Sequence, residues 1–197
     1  MKQVEFFFDV GSPFSHIAWR ALPTIVARCH AEIVWRPILI GGIFKATGNQ
    51  SPMIVPAKGS YSLIDLKRWA DYYGIAFRMN PYFPINTLPL MRGATAMLMR
   101  GPEALEAYLS AIYPAMFEEP VNLGDPQEIG KVLARAGIDP QALLAAIGDD
   151  AVKEKLKADT EDAVRRGVFG APTFFVGNEM FWGQDRLMFV ERALSAS

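Results

Sequence analysis

Phe6-Phe-Phe-Asp-Val-Gly-Ser-Pro-Phe-Ser-His-Ile-Ala-Trp-Arg20 is the stretch on which the reading of this chain turns. Val4 and Phe6 to Phe8 form an apolar run too short for a helix, so they read as a buried strand, and Gly11 ends it. Ser12 is placed to cap a following helix. Pro13 suits that helix's first position, where a missing amide hydrogen costs nothing. Ile17, Ala18, Ala21, Leu22, Ile25 and Val26 then recur at helical spacing and give the helix a core-facing side. Two readings of Ser12 follow. It is either a cap and nothing more, or a hydroxyl set among free backbone donors at the positive end of a helix dipole, where an anion carried by a ligand is stabilised.

Outward from that stretch, Glu32 to Leu39 reads as a second strand, so the first forty residues form a strand, helix, strand unit of the right-handed parallel kind. The texture changes after Gly41-Gly42. Between Ile43 and Pro89 prolines accumulate, and one helix is expected from Ser62 to Tyr73, with Ser62 and Asp65 as a capping-box variant and Gly74 as its stop. Helices are then expected over Leu88 to Arg100 and Pro102 to Glu118, followed by two short ones opened by Asp125-Pro126 and Asp139-Pro140. Met91, Met97, Met99, Met116, Tyr108, Tyr113 and Phe117 either fill the helical core or line a pliable apolar cleft. A charged amphipathic helix from Asp149 to Arg166 closes at Gly167. Thr173 to Val176 and Glu179 to Trp182 read as a hairpin turned at Gly177-Asn178, and a last helix from Asp185 to Ser195 points Leu187, Val190 and Leu194 inward.

Composition narrows the function classes. The 197 residues, 51% of them hydrophobic, suffice for one compact unit or a core domain carrying an insertion. A net charge of -1 speaks against a nucleic-acid partner. No apolar run reaches the roughly 18 residues of a membrane span, and the first strand begins with no cationic leader before it. The single cysteine, Cys29, excludes an internal disulfide and points to a reducing, cytoplasmic setting. Cys29 and His30 lack ligand spacing, so no metal is expected.

With residues 44–148 removed, the remaining order is strand, helix, strand, helix, hairpin, helix. That is the order of the thioredoxin fold, and the expectation is an α/β, thioredoxin-like fold with an inserted all-helical domain: a frame of 1–43 and 149–197 and an insertion of 44–148. In such folds a Cys-x-x-Cys pair opens the first helix and faces a cis-proline before the third strand. Here the first turn reads Ser12-Pro13-Phe14-Ser15, with hydroxyls in place of both sulfurs, which excludes dithiol redox chemistry by the chain alone. The second turn, Gly170-Ala171-Pro172-Thr173, holds the candidate cis-proline at Pro172.

The segments FDVGSPFSHIAWR and GVFGAPTFFVGNEMFWGQDRL, with GNQSPMIVPAKGSY and DLKRWADYYGI between them, resemble the DsbA-like glutathione enzymes, the 2-hydroxychromene-2-carboxylate isomerases and the kappa-class glutathione transferases. The resemblance implies glutathione as cofactor and Ser12 as the catalytic residue that donates to its sulfur. It places Ala171, beside Pro172, on the cysteinyl part, and Gln184 and Asp185 on the γ-glutamyl end. It sets Asn49 and Lys58 near the glycyl end or the substrate, and Lys45 near the substrate. As an isomerase the chain would take a small aromatic 2-oxoacid, with Lys45, Lys58 and Arg92 as candidate cations for its carboxylate and Tyr82, Phe83 and Trp182 for its ring. A homodimer is implied as well. As a transferase or peroxidase it would turn the same thiolate on other electrophiles.

Each assignment has a plainer rival. Asp185 can cap the last helix, and Lys45 and Lys58 can be ordinary solvated lysines. His16 follows Ser12 by one helical turn, yet a serine-hydrolase reading lacks both a Gly-x-Ser-x-Gly elbow and a partnered acid.

Overall fold

The structure is a computed structural model describing residues 2–196, so Met1 and Ser197 of the expected frame lie outside the described residues. Strand β1 (Lys2–Phe8) runs through the bend at Asp9 to Gly11 into α1 (Pro13–Arg28), and β2 (Ala31–Pro37) returns alongside β1. Then come α2 (Ile40–Thr47), a 3-10 turn at Pro52–Ile54, and α3 (Pro56–Tyr73). Helices α4 (Leu88–Arg100), α5 (Pro102–Phe117), α6 (Pro126–Arg135), α7 (Pro140–Gly148) and α8 (Asp150–Arg165) follow. The chain closes with β3 (Thr173–Val176), β4 (Glu179–Trp182), a 3-10 turn at Gln184–Arg186 and α9 (Leu187–Ala196).

The four strands form one sheet in the order β2-β1-β3-β4. β1 pairs parallel to β2, joined through α1, and antiparallel to β3, which forms the hairpin with β4. Because side chains alternate along a strand, β1 feeds both faces of the sheet. Val4, Phe6 and Phe8 enter the large core shared with α1, α4, α5 and α9, and Phe6 stacks on Phe174 of β3 at 5.1 Å. Phe7 points the other way, into a smaller core with Ile43, Ala163, Val168 and Phe175. On that second face Glu5 binds Arg36 at 2.7 Å and Arg166 at 2.6 Å, tying β1 to β2 and to the end of α8. The hydrogen bond from Arg166, with Arg36 behind it, holds the Glu5 carboxyl below its usual range against the opposing effect of burial.

The α/β, thioredoxin-like architecture with a helical insertion is the observed one. The insertion shares the large core with the sheet: Met91, Met97, Tyr108, Tyr113, Met116 and Phe117 are buried there beside Phe6 and Leu22. Of the methionines and aromatics offered by the sequence as a cleft lining, Met99 alone stands exposed.

Two features of the 40–74 region differ from the sequence reading. Helix α2 occupies a stretch that carries no helix signal in the sequence, and α3 starts at Pro56 instead of Ser62. Pro56 occupies the first helical position after Val55, a residue with no side-chain cap. Ser62 and Asp65 therefore lie within the helix and are no capping pair.

Candidate active site

The two turns singled out in the sequence meet. Ser12 sits at the N-cap of α1, where its Oγ accepts from the Ser15 N–H at 3.2 Å and donates to the Ala171 carbonyl at 2.9 Å. The Ala171–Pro172 peptide is cis. Ser12 and Ala171 are both buried. Since the serine oxygen already accepts a backbone N–H on the helix side, its own hydrogen is directed across the gap toward the second turn.

Around that contact lies a cavity of about 350 Å³, within the range of roughly 300–1,000 Å³ usual for small-molecule sites. Gly11, Ser12 and Phe14 form one side, and Ala171, Pro172 and Trp182 the facing side. Ile40 and Phe44, one turn apart on α2, form the third wall, and Ser62, Asp65 and Leu66 of α3 the fourth. The 184–186 turn closes one end: Gln184 is buried and Asp185 pairs with Arg186 at 2.7 Å. Gly183 is needed ahead of it, since its φ of 101° suits no L side chain and the Asp185 carboxylate occupies the space a Cβ would take. Asn49 reaches the rim and donates to the Phe169 carbonyl at 2.7 Å, which fastens the loop after α2 to the cis-proline turn.

Of the residues expected from the sequence, Ser12, Asn49, Phe83, Ala171, Pro172, Trp182, Gln184 and Asp185 line this one cavity. Tyr82 and Lys58 do not: both are exposed, Lys58 in the first turn of α3. Lys45 and Arg92 line a different groove, on the far side of α2 between α4 and α8. The sequence reading missed Ser62, Asp65 and Arg186, all of which line the cavity. Helical phase on α3 could have revealed the first two, had the helix been started at Pro56.

His16 lies one turn from Ser12 but does not line the cavity. Its ring is buried against Trp19, Tyr113 and Phe117. Burial drives its pKa down to about 4, with Arg20 adding to the effect and the Ala76 carbonyl opposing it. At neutral pH the ring is uncharged, so the 3.5 Å approach of Glu118 to Nε2 is no ion pair.

Beneath the Ser12 turn sits Asp9, fully buried. Burial raises its carboxyl pKa, and hydrogen bonds from Ile40, Gly11 and Thr87 work in the opposite direction.

Residues 3–195 match the family model described as a DSBA-like thioredoxin domain. The chain belongs to the DSBA-like thioredoxin family. Within that family it is 33% identical to a 2-hydroxychromene-2-carboxylate isomerase of Sphingobium xenophagum, over 98% of both chains. It is 31% identical to human glutathione S-transferase kappa 1, over 94% of this chain and 88% of the relative. Among solved structures, a 2-hydroxychromene-2-carboxylate isomerase superposes with a TM-score of 0.87 at 30% identity, covering 98% of this chain and 95% of that one. The resemblance read from the two signature segments is thus to the proteins the chain is in fact similar to.

Proposed function

We propose that this protein is a glutathione-dependent isomerase that interconverts 2-hydroxychromene-2-carboxylate and trans-o-hydroxybenzylidenepyruvate. The observation that carries the reading is the Ser12 hydroxyl, oriented by Ser15 N–H and aimed at Ala171 across a buried gap, in a family position where redox relatives need sulfur. The isomerases among its relatives supply the reaction, and the kappa transferases supply the cofactor class.

The site fits a γ-glutamyl tripeptide. Backbone at Ala171 borders the cavity beside Ser12, Asp185 offers a carboxylate for an ammonium, and the 184–186 turn and Asn49 add polar contacts at two ends. Glutathione supplies the sulfur nucleophile that the chain lacks. Ser12 holds the proton that stabilises a thiolate, helped by the positive end of α1. Phe14, Phe44, Phe83 and Trp182 exclude water and offer faces for an aromatic ring. Among the described residues the cation lining this cavity is Arg186, held by Asp185 at that end, while Lys45, Lys58 and Arg92 lie outside it.

A second reading, a kappa-like transferase or peroxidase, rests on the 31% identity to the human enzyme. The purified protein should isomerise the chromene in the presence of glutathione and conjugate a chloronitrobenzene far more slowly. The reverse ranking would favour the transferase.

The reading extends to a homodimer in the cytoplasm. Ile54, Val55, Tyr61, Ile64 and Tyr72 stand 62%, 45%, 59%, 53% and 73% exposed along the 3-10 turn and α3, an apolar face suited to a second copy. Sedimentation should give twice the chain mass, and Tyr72→Glu should reduce it. Cys29 as a free thiol suits a reducing compartment, and no helix among the described residues is long and apolar enough to cross a membrane.

A further inference from the structure

The buried carboxyl group beneath the Ser12 turn has no part in the chemistry described so far, yet it touches two walls of the cavity and the cap of α4. Asp9 Oδ1 accepts from the Gly11 N–H at 2.8 Å, and Oδ2 accepts from the Ile40 N–H at 2.9 Å and lies 3.2 Å from the Thr87 hydroxyl. Its backbone carbonyl accepts the Ser12 N–H at 3.0 Å. Gly11 and Ser12 form the catalytic turn, Ile40 opens the helix that carries Phe44, and Thr87 is the N-cap of α4, just past the loop that carries Phe83.

Helix α2 makes the dependence plain. Its N-cap residue, Leu39, offers no side-chain acceptor, so the first free N–H of the helix is met from another segment, by Asp9. The fit around Gly11 is equally close: a Cβ there would sit 2.5 Å from Thr87 Cγ2 and 3.3 Å from Asp9 Oδ1. Turn, helix and insertion interlock around one carboxyl group.

We propose that Asp9 is a positioning residue for Ser12: it fixes the catalytic turn against α2 and α4, so that the serine hydroxyl meets a bound thiol in register. This rests on the reading that glutathione binds at Ser12. Asp9 does not line the cavity, and the buried Tyr113 phenol is held above its usual range by burial first and by Asp9 second.

The test is the pKa of the thiol of glutathione bound to the full-length protein, followed by ultraviolet thiolate absorbance. It is read in the wild type, in Asp9→Asn and in Thr87→Val, together with binding of S-methylglutathione. In Asp9→Asn an amide NH₂ replaces one acceptor and confronts a backbone N–H, donor against donor. The bound thiol should titrate higher by about one unit, a tenfold loss of thiolate at fixed pH. S-methylglutathione, which needs no thiolate, should bind within about twofold of wild type. Thr87→Val removes only the hydroxyl contact and keeps the side-chain shape, so it should fold normally and shift the thiol in the same direction by less.

An unchanged thiol pKa in both variants, with only thermal stability lowered, would overturn the proposal and leave Asp9 as a structural residue. A fall in the thiol pKa would overturn it differently, by showing that Asp9 acts through its charge. If the wild type binds no glutathione, the functional reading fails and this inference with it.

Discussion

Two hollows lie on either side of α2, and they differ in kind. On one side, Ile40 and Phe44 face a cavity of about 350 Å³ into which Ser12, Ala171, Gln184 and Asp185 converge from different parts of the chain. On the other side, Gly42, Lys45 and Ala46 face a wider groove whose charges largely answer one another within α8 and its flank. There Lys153 pairs with Asp150 at 2.9 Å, Lys157 with Glu154 at 3.8 Å and Arg165 with Asp162 at 2.9 Å. The groove holds more cations than the cavity does. Convergence of polar groups in a desolvated space, more than their number, marks a site for chemistry, because a group held by its neighbours costs no reorganisation when a ligand arrives.

The sharpest way to break this contrast is to remove the hydroxyl at its centre. Ser12→Ala should lower turnover about a hundredfold, the scale of losing one oriented donor to a developing anion, while lost capping costs only about 1 kcal/mol of stability. Turnover and thermal melts on the same preparation separate the two. At the far end of the cavity, Asp185→Asn should weaken glutathione binding roughly tenfold, as loss of a charge-assisted contact does, which calorimetry would report. Unchanged affinity would remove Asp185 from the site.

The core side of α1 supplies a gentler test. His16, on the core face, carries a pKa depressed from 6.5 to about 4. A depressed histidine is charged more readily in the unfolded chain, so stability should fall as pH drops from about 6.5 toward about 4. His16→Gln should flatten that part of the melting-temperature profile without altering the pH dependence of turnover. A histidine acting as base for Ser12 would show the opposite pattern. The smallest effect is expected across α2: Lys45→Met and Arg92→Met should each leave kcat/KM within about twofold, and a large loss would mean that the groove serves the reaction.

How much of this was legible in the sequence follows from how local each signal is. The β1–α1 junction was plain, because strand, glycine, cap and proline stand in consecutive residues, and the hairpin was plain for the same reason. Helix α2 was not. Two glycines occupy its first turn, and its capping acceptor, Asp9, arrives from a distant segment that no window around Leu39 contains. That miss had consequences for the site. Without a helix at 40–47 there is no phase to separate Phe44, which faces the cavity, from Lys45, which faces away. The start of α3 was hidden by Val55 in the cap position and Gly59 in the first turns, so Ser62 and Asp65 read as a cap when they are part of a wall. The contact of Ser12 with Ala171 spans most of the chain and became visible only through the order of the elements.

The most direct measurement is the rate of chromene isomerisation by protein freed of every small thiol, before and after glutathione is returned. The account predicts essentially no turnover in the first case and a saturable recovery in the second, blunted in Ser12→Ala. Full activity without any added thiol would contradict it.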